Sequence, residues 1–136
     1  MNAIEHLQSF LVGCDRLATI STLIGRNTTM RGDLSADPNA GNSGIKVDGH
    51  VDGSICIPAE GGIVWIGPHG SVEGQTIEAD YVYVAGIVRA DKVIARKGIE
   101  LCGSATVEGQ IQYHGSMNMH NLCKVRGSIS YQGPQD

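Results

Sequence analysis

A single-stranded β-solenoid, three-sided and about six turns long, is the architecture to expect from these 136 residues. Short strand-like fragments recur along the chain at intervals that suit one turn of such a coil. Glycine is abundant, at 19 residues, while aromatic residues make up only 4% of the chain. Apolar residues nevertheless reach 41%. A core with so few large rings must be filled by small branched side chains, and stacked turns that repeat columns of Val and Ile supply one.

The recurring unit is an apolar residue followed two places later by glycine. It reads MRGDL at 30–34, VDGSI at 51–55, VEGQT at 72–76, VRADK at 88–92, VEGQI at 107–111 and VRGSI at 125–129, with Ala90 once in the glycine place. The leading residues are 21, 21, 16, 19 and 18 positions apart. Six places before them stand Ile24, Ile45, Ile66, Val82, Leu101 and Met119. Four places after them stand Leu34, Ile55, Thr76, Lys92, Ile111 and Ile129, and the two polar exceptions have Ile77 and Val93 one place further on. This period is too short for tetratricopeptide, ankyrin or propeller-blade repeats. Alternation of apolar and polar residues marks each unit as strand. Glycine fits a corner where a Cβ would crowd the chain. The expected core is Leu23, Ile24, Met30, Ile45, Val51, Ile55, Ile66, Val72, Val82, Val88, Leu101, Val107, Ile111, Val125 and Ile129.

Three segments follow in order. Residues 1–21 form an amphipathic helical segment, with Ile4, Leu7, Leu11 and Cys14 on one stripe and Phe10 and Leu17 beside it. Ile4, Leu7, Phe10, Leu11 and Val12 are the side chains that would either cap the solenoid or touch a membrane surface. Residues 22–131 are the β-helix domain, interrupted by a polar loop at 35–44 and a shorter one at 58–62. Residues 132–136 are a polar tail.

Composition excludes several classes of function. The net charge of −4 and pI near 5.6 leave no basic footprint, so no nucleic-acid partner is expected. No run of residues is long and apolar enough to span a bilayer, and the N-terminus lacks the pattern of a signal peptide. The four cysteines, at 14, 56, 102 and 123, form no C-x-x-C pair and read as reduced thiols of a cytoplasmic protein.

The tract from Thr22 to Tyr131 resembles the bactofilins, bacterial polymer-forming cytoskeletal proteins. The resemblance rests on Leu23-Ile24-Gly25, on the run from Val47 to Ile55 (VDGHVDGSI), and on Val64-Trp65-Ile66-Gly67 leading into Val72-Glu73-Gly74. It continues through Val84-Ala85-Gly86-Ile87-Val88 and Val107-Glu108-Gly109-Gln110-Ile111. It implies a right-handed coil and a protein that assembles end to end without nucleotide, with cell-envelope or morphogenetic proteins as clients and the inner face of the cytoplasmic membrane as a possible location. Its partner is first of all itself. The polymer interface is then expected at the two ends, on Met119, Val125, Ile129 and Tyr131 at one and Leu23, Ile24, Met30 and Leu34 at the other. The C-terminal ends, with only a short tail beyond them, are expected to meet in a two-fold contact.

The rival reading is a trimeric acyltransferase of the left-handed hexapeptide-repeat class, suggested by the stretch from Ile66 to Gly74. The six-residue step holds once per turn and then breaks, and His6, His50, His69, His114 and His120 fall in different columns. His114, His120 and Cys123 lack zinc-site spacing. Neither a phosphate-binding glycine loop nor a nucleophile elbow is present. No catalytic, cofactor or metal residues are therefore assigned. Asp48, Asp52, Glu73, Glu100 and Glu108 are expected on solvent-facing positions, where charge keeps sheet surfaces from sticking.

Overall fold

A computed structural model describes residues 20–35, 44–58 and 60–133. The segment read as helical therefore lies outside the described residues as far as residue 19, as do residues 36–43 of the first loop and the end of the tail. The strands are β1 (Ile20–Ile24), β2 (Thr29–Arg31), β3 (Leu34–Ser35), β4 (Gly44–Val47), β5 (His50–Asp52) and β6 (Ile55–Cys56). They continue with β7 (Ile63–Ile66), β8 (Ser71–Val84), β9 (Ile87–Leu101), β10 (Thr106–Tyr113), β11 (Ser116–Met119) and β12 (Lys124–Tyr131). All twelve belong to one sheet, and every pairing in it is parallel.

Parallel neighbours about one repeat apart in sequence require the chain to coil, and the pairings define three faces. On the first face β1, β4, β7, residues 81–84, residues 98–101 and β11 stack in turn. The second stacks β2, β5 and the opening residues of β8, β9, β10 and β12. The third stacks β3, β6, residues 76–79, residues 92–95 and the ends of β10 and β12. Each face thus carries six rungs; the chain makes five full turns between Ile24 and Met119 and part of another to Tyr131. The long strands β8 and β9 run through all three faces.

The repeat columns lie in register. Met30, Val51, Val72, Val88, Val107 and Val125 are successive partners on the second face. Leu34, Ile55, Ile77, Val93, Ile111 and Ile129 are successive partners on the third. Ile77 and Val93 take the inward place because rungs three and four have one extra residue there, absorbed as a bulge opposite Gly109. Lys92 consequently lies exposed. The first-face column differs from the fixed six-residue step. Ile24, Val47, Ile66, Val84, Leu101 and Met119 are partners, while Ile45 and Val82 belong to the neighbouring inward column with Val64 and Ile99. The corner before Val51 and the corner before Val88 are two residues shorter than the others, and a slip of two leaves an inward side chain in the sampled place.

The inward columns form one continuous core from Ile24 to Ile111. Leu23 departs from expectation. It alternates with the inward Ile24, points outward and is 61% exposed. Ile129 is inward in register but 40% exposed, and Met30 and Val125 are only half-buried, because no further rung among the described residues covers them. The glycine column holds the corners tight. A Cβ on Gly109, whose φ is 134°, would stand 1.6 Å from the Ala90 carbonyl oxygen of the rung below. Only glycine tolerates both that approach and that backbone.

Ions secure the corner between the third and first faces. The Arg96 guanidinium donates to Asp80 Oδ1 at 2.7 Å, to Glu78 Oε2 at 2.8 Å and to the Ile57 carbonyl. Gly61 N–H donates to Asp80 Oδ2 at 2.7 Å, which ties down the 58–62 loop. Burial alone would push the Asp80 carboxyl up. The Gly61 N–H, the Arg96 guanidinium and the Lys97 ammonium outweigh it and hold that carboxyl below its ordinary range.

Candidate interface at the end of the coil

The sixth rung is the place where the repeat stops and its inward columns stay open. Ile111 is fully buried, while its partner Ile129 one rung on is not. Met119, Leu122, Ile129 and Tyr131 are exposed large apolar residues, and all four lie on this rung or its corner. Val125 and Met117 are half-buried beside them and pack against the core. Tyr131 stacks at 5.2 Å and 45° on Tyr113, so its ring is held over the third-face column. The edge of β11 and β12 has no partner strand beyond it among the described residues. Open apolar columns and unpaired strand-edge groups together make a template for a further rung.

The opposite end leaves less of its inward apolar side chains open. Ile24 is buried, and Met30 and Leu34 are half-buried against the core. Leu23 belongs to the outer surface of the first face rather than to the cross-section. Beside this end a cavity of about 350 Å³ is lined by Arg26, Asn27, Thr28, Asp48, His50 and His69, among others. Arg26 Nη2 lies 2.5 Å from His69 Nε2, and His50 Nδ1 lies 2.6 Å from Ser71 Oγ. Four of its polar side chains are thus engaged in pairs, and Asp48 is paired with Lys46 at 3.5 Å.

The remaining titratable residues are scattered. Among the described residues no three His, Cys, Asp or Glu side chains converge on one point. His114 and His120 stand before and after β11, at its two ends. His114 Nδ1 contacts the Gly133 carbonyl, and His120 Nδ1 accepts from Leu122 N–H. Cys56, Cys102 and Cys123 are free thiols on different rungs. The stretch from Ile66 to Gly74 that suggested hexapeptide repeats is the crossing of one corner, from β7 into β8. Asp52 and Glu73 are exposed as expected, and Arg89 bridges Glu73 and Glu108 on the outside of the second face. Glu100 is the correction: it is buried, and burial pushes its carboxyl up to about 7 despite a 3.5 Å contact from Asn118 Nδ2. Sequence reasoning also missed Leu122, which sits in a corner outside the repeat columns, and Arg96, whose partners are 16 to 39 residues away. No helix among the described residues is long and apolar enough to cross a membrane.

The family model of the bactofilins, described as polymer-forming cytoskeletal, matches residues 22–130. Among solved structures, the crystal structure of a mutant bactofilin from Thermus thermophilus is similar, at 19% sequence identity and a TM-score of 0.32, over 84% of this chain and 96% of that one. No curated protein matches.

Proposed function

This chain belongs to the bactofilin family of polymer-forming cytoskeletal proteins, and we propose that it is a non-enzymatic scaffold whose subunits join through the ends of the coil, without nucleotide. The observation that carries this reading is the concentration of exposed apolar side chains on the sixth rung. Met119, Val125, Ile129 and Tyr131 form the principal joint, in a two-fold contact between C-terminal ends. Ile24, Met30 and Leu34 form the second joint, with Leu23 at its margin. Both joints together give a non-polar filament, in the right-handed winding that the family implies. Its place is the cytoplasm, with cell-envelope proteins as clients, and Ile4, Leu7, Phe10, Leu11 and Val12 serve either to cover the coil or to contact the inner face of the cytoplasmic membrane.

Electron microscopy and sedimentation of the purified chain test this reading. Filaments or sheets are expected for the native chain, and folded monomers, or dimers joined only through the N-terminal ends, for Ile129→Lys and Tyr131→Lys. A lysine in a desolvated joint costs several kcal/mol unless it is paired. Discrete trimers with acyl-transfer activity would replace this reading with the hexapeptide enzyme. Unchanged assembly in both variants would move the joint away from the sixth rung.

A further inference from the structure

In the middle of the first face three outward side chains, Ile63, Tyr83 and Glu100, are buried although they point away from the coil. On residues 81–84 the inward side chains are Val82 and Val84, so Tyr81 and Tyr83 point out. The same alternation places Ile63 and Trp65 outward on β7 and Glu100 outward on β9. Trp65, Tyr83 and Glu100 are successive register partners, as are Ile63 and Tyr81. Yet Ile63 and Glu100 are fully buried and Tyr83 is 2% exposed. Ile63, Tyr83 and Ala85 form a second, separate core with Trp65, Tyr81 and Cys102 around it. The Trp65 and Tyr83 rings meet edge to face at 6.0 Å. Trp65 Nε1 is buried. Every described strand belongs to the one sheet, so the described residues supply no second layer over this surface.

We propose that residues 1–19 of this chain form that layer, docking their apolar stripe on Ile63, Trp65, Tyr83 and Ala85. Three observations select this occupant. The segment enters the coil at Ile20, whose partner is Gly44 and therefore lies on this same face. It carries Ile4, Leu7, Phe10, Leu11 and Leu17, enough large apolar side chains to fill against a Trp and two Tyr rings. The other candidates cannot do so: residues 36–43 read ADPNAGNS, residues 134–136 read PQD, and residue 59 is a single Ala. Glu100, under the same cover, has its carboxyl pushed up by burial, as a close-fitting layer demands. The inference stands whether or not the ends of the coil polymerise. It places the membrane-binding candidate residues against the flank of the coil, so a membrane contact through them would first require undocking.

Trp65 is the single tryptophan of the chain, so its fluorescence reports on this face alone. Acrylamide quenching of Trp65 is measured on the full chain, on a deletion of residues 2–17 and on Leu7→Asp with Phe10→Asp. Alkylation of Cys102 is followed by mass spectrometry, with Cys56 on another face as internal control. Both altered proteins should quench several-fold more readily, emit to the red of the full chain and label faster at Cys102 but not at Cys56. If the deletion fails to fold, the double substitution decides. Unchanged quenching and labelling in a folded variant would overturn the proposal. So would quenching of the full chain that falls with protein concentration, since a second copy would then be the cover.

Discussion

Rungs five and six are built from nearly the same words, VEGQIQY and VRGSISY, and they have opposite fates. Val107 and Ile111 are sealed, while Val125 is half-buried and Ile129 is open. Tyr113 lies under Tyr131, and Tyr131 lies under nothing described. The local sequence sets which way a side chain points, but for an inward side chain the number of neighbouring rungs sets whether water reaches it. In a stack whose repeats touch only their neighbours, the last copy must carry the unspent stickiness of the whole.

The largest expected effect comes from putting the same charge on both rungs. Ile111→Lys would bury an unpaired ammonium in the core, at a cost of about 5 kcal/mol or more. Loss of the cooperative unfolding transition in urea is expected for Ile111→Lys and its retention for Ile129→Lys. Equal destabilisation of the two would erase the contrast.

The corner ions give the next effect. After the third-face partners Ala79, Ala95, Tyr113 and Tyr131 come Asp80, Arg96, His114 and Gln132. The middle of the stack thus spends a buried ion pair where the end has only polar contacts. Arg96→Ala removes the nearest cation from buried Asp80, leaving it the Gly61 N–H and the Lys97 ammonium, and should cost up to about 3 kcal/mol by urea denaturation. The Asp80 carboxyl is held below its ordinary range, so the stability it adds is present above the unfolded pKa and is lost as pH falls through the folded one. Arg96→Ala should flatten that acid limb of the stability curve, whereas Gln132→Ala should leave it unchanged.

Glu100 tests whether the covered flank behaves like the core. Its carboxyl is raised from 4.5 to about 7 by burial. Between those values the native state holds more protons than the unfolded one, so stability falls as pH rises. The sign is opposite to that of Asp80. Glu100→Gln should remove this slope and raise stability at pH 8 by up to about 3 kcal/mol, from a shift worth about 1.4 kcal/mol per unit. Tyr83 and Asn118 are polar neighbours of Glu100 among the described residues.

Much of this was legible before any coordinates. The V-x-G-x-I words put Met30 through Val125 in register, and even the displaced Ile77 and Val93 were visible as near misses. A slip of two at the short corners hid the true partners of Ile45 and Val82, because strand parity returns an apolar residue at either place. The sequence marks Glu100 as solvent-facing. Its parity is outward as expected, but no local pattern reports that a flank is covered. Arg96 joins Ile57, Glu78 and Asp80 across two turns, and such reach appears only when the coil is closed. Leu122 stands outside every repeated column and so carried no periodic signal.

The smallest effect on folding belongs to the rung with the largest effect on assembly. Ile129 and Tyr131 have already lost much of their burial for want of a seventh rung, so a lysine at either place displaces little packed surface. Tyr131→Lys forfeits the ring contact with Tyr113, which is worth about 0.5 to 1.5 kcal/mol. Ile129→Lys keeps its long aliphatic stem over the open column while the ammonium reaches water. Each monomer should therefore unfold within about 1.5 kcal/mol of the native chain, measured in urea at a concentration too low for assembly. Above that concentration the native chain should gain stability, since a joint that binds only the folded state adds to it by mass action. The two variants should show no such gain from the C-terminal joint. A variant whose stability still climbs with concentration as the native chain's does would show that the open sixth rung is not where the subunits meet.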